Sequence, residues 1–177
     1  EVKRGNYMAF FSSYRMMEEV AAQFEALTEE KGDPVCLLCQ KTGMNETERE
    51  DFLKQFEQPH ERGLAGFCVM GGIFGEGIDL RGDCLIGAVI VGTGLPQVCR
   101  EREILKQFYD RRGQDGFFYA YLCPGMNKVL QSAGRVIRTE EDRGVILLLD
   151  ERFQSSRYRS MFPAEWENFD YCTLRSV

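Results

Sequence analysis

The chain lacks any apolar run long enough to cross a membrane. A membrane-spanning helix requires about 20 consecutive apolar residues. The first residues, Glu1 to Arg4, show no signal-peptide pattern, and no internal repeat or low-complexity segment is present. These absences argue against a membrane-spanning or fibrous protein, and we expect a cytoplasmic one.

A phosphate-binding P-loop is also missing, because neither Gly-Lys-Ser nor Gly-Lys-Thr occurs in the chain. The net charge of -6 and the isoelectric point near 5.0 provide no basic excess of the kind that nucleic-acid-binding domains often carry. Any contact with nucleic acid must therefore be local.

Histidine and paired metal-ligand motifs are scarce. The only histidine, His60, follows Pro59 in a charged loop without a serine or cysteine elbow around it, so a catalytic role is disfavoured. Cys36 and Cys39 form a CxxC, but they bracket two leucines and no second pair accompanies them, so we expect no metal site. The seven cysteines are an odd number, and their apolar surroundings predict reduced, buried thiols.

Strand-like apolar runs alternate with helical patterns along the whole chain. The strand-like runs are residues 7–11, 35–39, 64–70, 85–91 and 145–149. The helical patterns include a segment with Thr47 and Glu50 at capping-box spacing, residues 100–112 and residues 127–138. Strands that are apolar on both faces and joined by crossovers of this length indicate βαβ units. We predict one domain over residues 1–177, a three-layer α/β/α fold with a mostly parallel sheet.

The strongest local signal is the segment from Gln131 to Arg138. In a helix, Gln131, Gly134, Arg135 and Arg138 would fall within an arc of roughly 100°, opposite an apolar face. A mid-helix glycine costs about 1 kcal/mol against alanine, so Gly134 suggests a close approach of a ligand to the backbone. Two guanidiniums on one face suit a transferred phosphoryl group. A solvated basic face remains the alternative.

A glycine-rich segment, Gly71 to Asp79, follows the third strand-like run. Its four glycines predict a loop whose backbone can reach a ligand at the carboxyl edge of the sheet. Glu76 and Asp79 add acceptors for ribose hydroxyls, water or a neighbouring arginine. An ordinary tight connection between elements is the alternative.

Ser12, Ser13 and Tyr14 lie where the first strand turns into the first helix. Two hydroxyls and the amides of a helix N-terminus can hold a phosphate oxygen. Simple N-capping explains the serines equally well. Both interpretations of this turn stay open on sequence grounds.

These three segments, in this order and spacing, resemble motifs of the second RecA-like domain in the XPD/DinG family of superfamily 2 DNA helicases. Met8 to Tyr14 resembles motif IV, Gly71 to Asp79 motif V and Gln131 to Arg138 motif VI. Gly94 to Pro96 and Asp150 to Phe153 match further landmarks of that family. The resemblance covers nearly the whole chain.

The resemblance implies a RecA-like domain of the P-loop NTPase type, acting as the second helicase lobe and lacking a Walker A motif. ATP and Mg²⁺ would be held mainly by the first lobe of the same parent chain, and single-stranded DNA would lie across both lobes. Movement would run 5′ to 3′ on the tracked strand. A bacterial member of such a family would associate with the nucleoid.

By position, the resemblance assigns roles to individual residues. Arg135 and Arg138 would be arginine fingers, with Gln131 beside them. Nucleotide binding and coupling to DNA would fall to residues of motifs V and VI, namely Gly75, Glu76, Gly77, Asp79 and Gly134. Ser12, Ser13 and Tyr14 would touch the DNA backbone.

Other functions remain open on sequence grounds. The chain alone is expected to be inactive, because the motifs that grip ATP belong to the first lobe. An iron–sulfur cluster, which many relatives carry in that lobe, is not expected in this chain, and its presence in the parent stays open. The alternatives are a RecA-like protein-interaction or regulatory module without an ATPase role, and a lobe of an RNA helicase or translocase.

Overall fold

The computed structural model describes residues 4–32, 35–75, 80, 82–136 and 143–172. The strands in this part of the chain are β1 (Tyr7–Phe11), β2 (Cys36–Cys39), β3 (Leu64–Val69), β4 (Gly87–Val91) and β5 (Val145–Leu149). The α-helices are α1 (Tyr14–Glu30), α2 (Glu46–Lys54), α3 (Arg100–Asp110), α4 (Cys123–Ala133) and the short α5 (Ser156–Arg159). A π-helical turn, Phe118–Leu122, leads into α4.

The five strands form one parallel sheet in the order β2-β3-β1-β4-β5. The register places Phe10 at the centre, between Cys68 of β3 and Ile90 of β4. The predicted α/β fold with a parallel sheet is confirmed. The five strand-like runs correspond to these five strands, with boundaries that differ by at most two residues.

The direction of each crossover explains which face of the sheet it covers. From β1 to β2 the chain moves one way along the sheet, and the connections to β3, β4 and β5 all move the other way. Because parallel crossovers are right-handed, connections of opposite direction lie on opposite faces. Therefore α1 covers one face, and α2 and α4 cover the other.

The core has two parts that follow this division. On the face of α2 and α4, Phe10 packs in a buried cluster with Phe56 and Met126. On the face of α1, a smaller cluster joins Phe11 to Met17 of α1. Burying one such side chain contributes about 1.5–3 kcal/mol, so the larger cluster dominates the stability of the fold.

Strand β5 departs from the prediction that every strand is apolar and buried on both faces. Val145, Leu147 and Leu149 are 62%, 36% and 47% exposed, while Ile146 and Leu148 pack against the larger cluster. The exposed three lie on the face that α1 covers elsewhere. Because the other crossovers run on the opposite face, no other described crossover helix reaches this side of β5.

Two predicted helix boundaries were wrong. The capping box at the start of α2 is formed by Asn45 and Glu48, whose side chains bond to each other's backbone N–H, and not by Thr47 and Glu50. The last predicted helix, residues 127–138, begins earlier, at Cys123, where Pro124 occupies the first turn that tolerates proline. Ser13 caps α1 by accepting a hydrogen bond from the Met16 N–H at 3.2 Å.

The cysteines are free, but only Cys68 is buried, so the prediction of buried thiols holds for one residue. Burial raises the pKa of the Cys68 thiol well above its usual value, which keeps it protonated and unreactive. Among the described residues, no helix is long and apolar enough to span a bilayer.

Candidate functional site

The candidate site lies at the carboxyl edge of the sheet, beside β1. The connection after β1 leaves toward one face, and the connections after its neighbours β3 and β4 leave toward the other. Such a reversal opens a crevice at the strand ends, where open α/β sheets bind their ligands. Ser12 to Tyr14 follow β1 here, and Gly71 to Gly75 follow β3.

The turn after β1 is fixed by α1 and by the end of β2. Ser13 is the N-cap, so N-capping accounts for its hydroxyl. Ser12 is exposed, with its hydroxyl 3.6 Å from the sulfur of Met16. Tyr14 accepts a hydrogen bond on its hydroxyl from Nε2 of Gln40 at 2.7 Å. The three residues therefore differ in availability, and Ser12 is the most accessible.

Gln40 was not predicted as a site residue, although it organises this edge. It directly follows β2 and is 3% exposed. Its side-chain Oε1 accepts a hydrogen bond from the Val69 N–H at 2.9 Å, and the backbone N–H of Gln40 donates to the Phe67 carbonyl at 2.8 Å. The sequence signal was a polar residue that ends an apolar run, Cys36 to Gln40. Gln40 thus links β2, β3 and the start of α1.

The glycine-rich loop after β3 is held by two arginines from opposite sides. Gly72 donates to the Val69 carbonyl at 3.1 Å and Gly75 to the Gly72 carbonyl at 2.8 Å, which gives a compact double turn. The Arg135 guanidinium donates to the Gly75 carbonyl. The predicted residues Glu76, Gly77 and Asp79 lie outside the described residues.

Arg49 of α2 is the second arginine on this loop, and the sequence analysis missed it. Its Nε donates to the Ile73 carbonyl at 3.1 Å, and its Nη1 contacts Oε1 of Glu46 at 2.6 Å. The side chain is only 15% exposed. On sequence alone, Arg49 was one charged residue among many in a polar helix, so nothing distinguished it.

A cleft of about 730 Å³ opens between α2 and α4 across this loop. It is lined by the loop backbone and by side chains of the two helices, namely Glu46, Arg49, Gly71, Gly72, Ile73, Gly75 and Gln131. Gln131 and Gly75 were both predicted site residues, and the fold brings them together although 55 positions separate them in the chain. An open cleft with glycine backbone and a guanidinium suits a polar, anionic ligand.

The end of α4 differs from the prediction. The helix ends at Ala133, and Gly134 is its C-cap with its N–H bonded to the Leu130 carbonyl at 2.9 Å. Gly134 therefore lies at the end of a helix and not in its middle. Glycine favours this position over a helix interior. Arg135 lies in the following turn and still reaches the glycine-rich loop. Arg138 lies outside the described residues.

Other charged and sulfur-bearing groups near the strand ends have structural roles. At the end of β5, the Arg152 guanidinium forms a two-pronged contact with the Asp150 carboxylate, and these hydrogen bonds lower the pKa of Asp150. Cys36 and Cys39 are three residues apart in β2 and so lie on opposite faces. No group of three or more potential metal ligands is found within the described part of the chain.

Residues 1–169 match the family described as Helicase C-terminal domain. The chain is 32% identical over 153 residues to the ATP-dependent DNA helicase DinG of Photobacterium profundum, which covers 85% of this chain and 21% of that protein. It is 30% identical over 167 residues to the ATP-dependent DNA helicase YoaA of Escherichia coli, and this match covers 93% of this chain and 24% of that protein.

A solved XPD helicase structure superposes with a TM-score of 0.68 at 23% identity, over 88% of this chain and 26% of that one. That likeness supports the fold: a RecA-like α/β lobe. The chain belongs to the Helicase C-terminal domain family. It spans about a fifth to a quarter of the length of the two curated relatives.

Proposed function

We propose that this chain is the second motor lobe of an ATP-dependent DNA helicase and that it is inactive without the first lobe. Both named relatives are ATP-dependent DNA helicases. The chain has no Gly-Lys-Ser or Gly-Lys-Thr, so nucleotide phosphates would be gripped by the first lobe of the parent. This lobe would then complete the nucleotide site by closing onto it.

In this mechanism, Arg135 and Arg138 act as arginine fingers, and Gln131 lies beside them at the cleft. A guanidinium carries five N–H donors, so the bond from Arg135 to the Gly75 carbonyl orients the side chain without exhausting its donors. Preorganised cations stabilise charge that develops on a transferred phosphoryl group. Residues of the glycine-rich loop and Gly134 would couple closure to DNA movement.

The described residues fit nucleotide phosphates better than they fit a metal ion. The cleft offers loop backbone, Gln131 and the Arg49 guanidinium, which can hydrogen-bond phosphate oxygens, while the Glu46 carboxylate in the lining pairs with Arg49. No described cluster of three acidic, histidine or cysteine side chains is available to hold Mg²⁺. The ion would therefore be coordinated by the nucleotide and the first lobe, where it would offset the phosphate charge.

Contact with single-stranded DNA would fall to the turn after β1. Ser12 is exposed there, and the N-cap of α1 directly follows it, so a helix N-terminus is available to a backbone phosphate. Ser13 and Tyr14 would act mainly by fixing the geometry of this turn. We propose 5′ to 3′ movement on the tracked strand, by analogy with the family.

One observation carries the proposal. Gln131 of the last motif lines one cleft with the glycine-rich loop of the middle motif, and Arg135 donates to the Gly75 carbonyl of that loop. A basic face with a purely structural role would be expected to face solvent, and it would not need to contact a glycine-rich loop at the edge of the sheet where ligands bind. This convergence supports a role in phosphoryl transfer, which needs cations held in place beside the transferred group.

The test is single-stranded-DNA-stimulated ATP turnover of the parent protein, comparing wild type with Arg135→Ala and Arg138→Ala. We expect turnover to fall on the order of 10³-fold or more while ATP affinity changes far less, because fingers act on the transition state. The matched control is Arg111→Ala, an exposed arginine in the turn after α3. Unchanged turnover in both finger variants would favour a protein-interaction module instead.

A further inference from the structure

Lys128 occupies a special position above the carboxyl edge of the sheet. A Cβ placed on Gly94, after β4, would lie 3.5 Å from Cβ of Lys128, and one on Gly71, after β3, would lie 3.1 Å from both its Cδ and Cε. The lysine stem therefore runs from the loop after β4 to the loop after β3. In the sheet, β1 lies between those two strands.

The two glycines explain why the stem fits there. Gly71 and Gly94 both have positive φ, at 69° and 64°, and a side chain at Gly71 would crowd the lysine. The backbone turns on both sides thus leave a channel that the apolar stem of Lys128 fills. Long lysine stems pack in this way while the ammonium remains at the polar end.

The Lys128 ammonium has no carboxylate partner among the residues that the structure describes. The side chain is nevertheless half-buried. That burial reflects the packed stem, and the ammonium at its end lies near Gly71, which lines the cleft, where an anionic ligand can pair with it. By contrast, the exposed Lys54 pairs with Asp51, and the partly exposed Lys106 pairs with Asp110.

Lys128 also extends the polar row of α4. Lys128 and Gln131 are spaced i and i+3 within α4, which places them about 60° apart around the helix, and Arg135 lies in the turn that follows. Gln131 lines the cleft and Arg135 holds the glycine-rich loop. The far end of the Lys128 stem lies beside Gly71, which lines the same cleft.

We propose that Lys128 binds a phosphate group at this edge, a role that the resemblance to helicase motifs does not assign. The phosphate belongs either to the nucleotide in the cleft or to the backbone of single-stranded DNA over the end of β1. The proposal rests on the proposed function, because both ligands come from it. A strongly hydrated point charge such as an ammonium suits one phosphate oxygen without demanding a fixed orientation.

The experiment uses the parent protein with Lys128→Met, which keeps the stem and removes the charge, and Lys128→Arg, which restores a charge. Lys54→Met is the control for loss of an exposed lysine elsewhere. The affinity for a fluorescent oligothymidine is measured between about 50 and 200 mM salt, and ATP-analogue affinity is measured in parallel. Circular dichroism confirms that each variant is folded.

If the phosphate is part of DNA, Lys128→Met weakens oligothymidine binding by about tenfold and lowers the slope of log affinity against log salt by about 0.7. If it is part of the nucleotide, analogue affinity falls by about tenfold and the salt slope is unchanged. Lys128→Arg recovers most of the loss in either case. Affinities for both ligands within twofold of wild type would overturn the proposal.

The outcome is separable from that of the proposed function. Arg135→Ala assayed alongside reports on ATP turnover, whereas Lys128→Met is read out by binding alone. If Lys128→Met binds both ligands normally while Arg135→Ala loses ATP turnover, only the proposed role of Lys128 is refuted. Weakened phosphate binding with normal turnover in Arg135→Ala leaves Lys128 in place and removes the finger assignment.

Discussion

The two ends of the sheet use polar residues in different ways. At the amino end, Asn6 is buried, and its side chain accepts from the Leu64 N–H at 3.1 Å and donates to the carbonyls of Phe56 and Cys84 at 3.0 and 3.1 Å. Every one of these partners belongs to the chain itself. Asn6 thus joins the starts of β1 and β3 to the turns beside them, and its polar capacity is used for stability.

At the carboxyl end, several polar groups are not satisfied in this way. The Lys128 ammonium has no carboxylate partner among the described residues, and the buried Thr93 hydroxyl has no hydrogen-bond partner there. The cleft between α2 and α4 opens at this end. The comparison teaches that internally satisfied polar groups stabilise the lobe, while groups left for a ligand cost stability and serve function.

The largest stability effect is expected for Asn6→Ala. It removes three hydrogen bonds and leaves a buried N–H and two carbonyls without their partner, so the free energy of unfolding should fall by about 3–5 kcal/mol. Urea unfolding of the 177-residue chain measures this loss. Asn168→Ala, at an exposed asparagine, should change it by less than about 0.5 kcal/mol. Equal losses in the two variants would refute the structural role of Asn6.

Gln40→Leu should have an intermediate effect, because Gln40 is the carboxyl-end residue that most resembles Asn6. Loss of the acceptor for the Val69 N–H and of the donor to Tyr14 should cost about 1–3 kcal/mol. Tyr14→Phe should cost about 1 kcal/mol, and the double variant less than the sum, because the two side chains share a bond. Strict additivity in urea unfolding would contradict that coupling.

Lys128→Met should have the smallest effect on stability, below about 0.5 kcal/mol, and it can even stabilise the lobe. The variant keeps the stem packed against Gly71 and Gly94 and removes a cation that has no carboxylate partner among the described residues. Urea unfolding beside Asn6→Ala gives the comparison directly. If Lys128→Met lowered the free energy of unfolding as much as Asn6→Ala does, Lys128 would be a residue that stabilises the lobe. The proposed difference between the two ends of the sheet would then be wrong.

Much of the fold could be predicted because strands and turns carry local signals. The apolar runs marked all five strands, and the two serines marked the start of α1. The end of α4 could not be predicted from the sequence. A glycine at position 134 is compatible with a helix interior that a ligand approaches closely, and it is equally compatible with a C-cap. The exposed face of β5 was missed since strand composition does not say which crossovers will cover it.

The candidate site was predicted in its segments but not in its contacts. Ser12 to Tyr14, Gly75, Gln131 and Arg135 all lie at or near one edge of the sheet, as their motifs suggested. Gln40, Arg49 and Lys128 were not identified. Each is a common polar residue in sequence, and its role arises from neighbours that are distant along the chain.

The sequence by itself determined the set of strands, the parallel α/β class and the three motif segments, because apolar periodicity and glycine content act over a few residues. The tertiary structure alone decided that Arg135 meets Gly75 and that Lys128 spans the ends of β3 and β4. Those contacts depend on strand order and crossover handedness, which bring together residues that are far apart along the chain. No local pattern encodes that proximity.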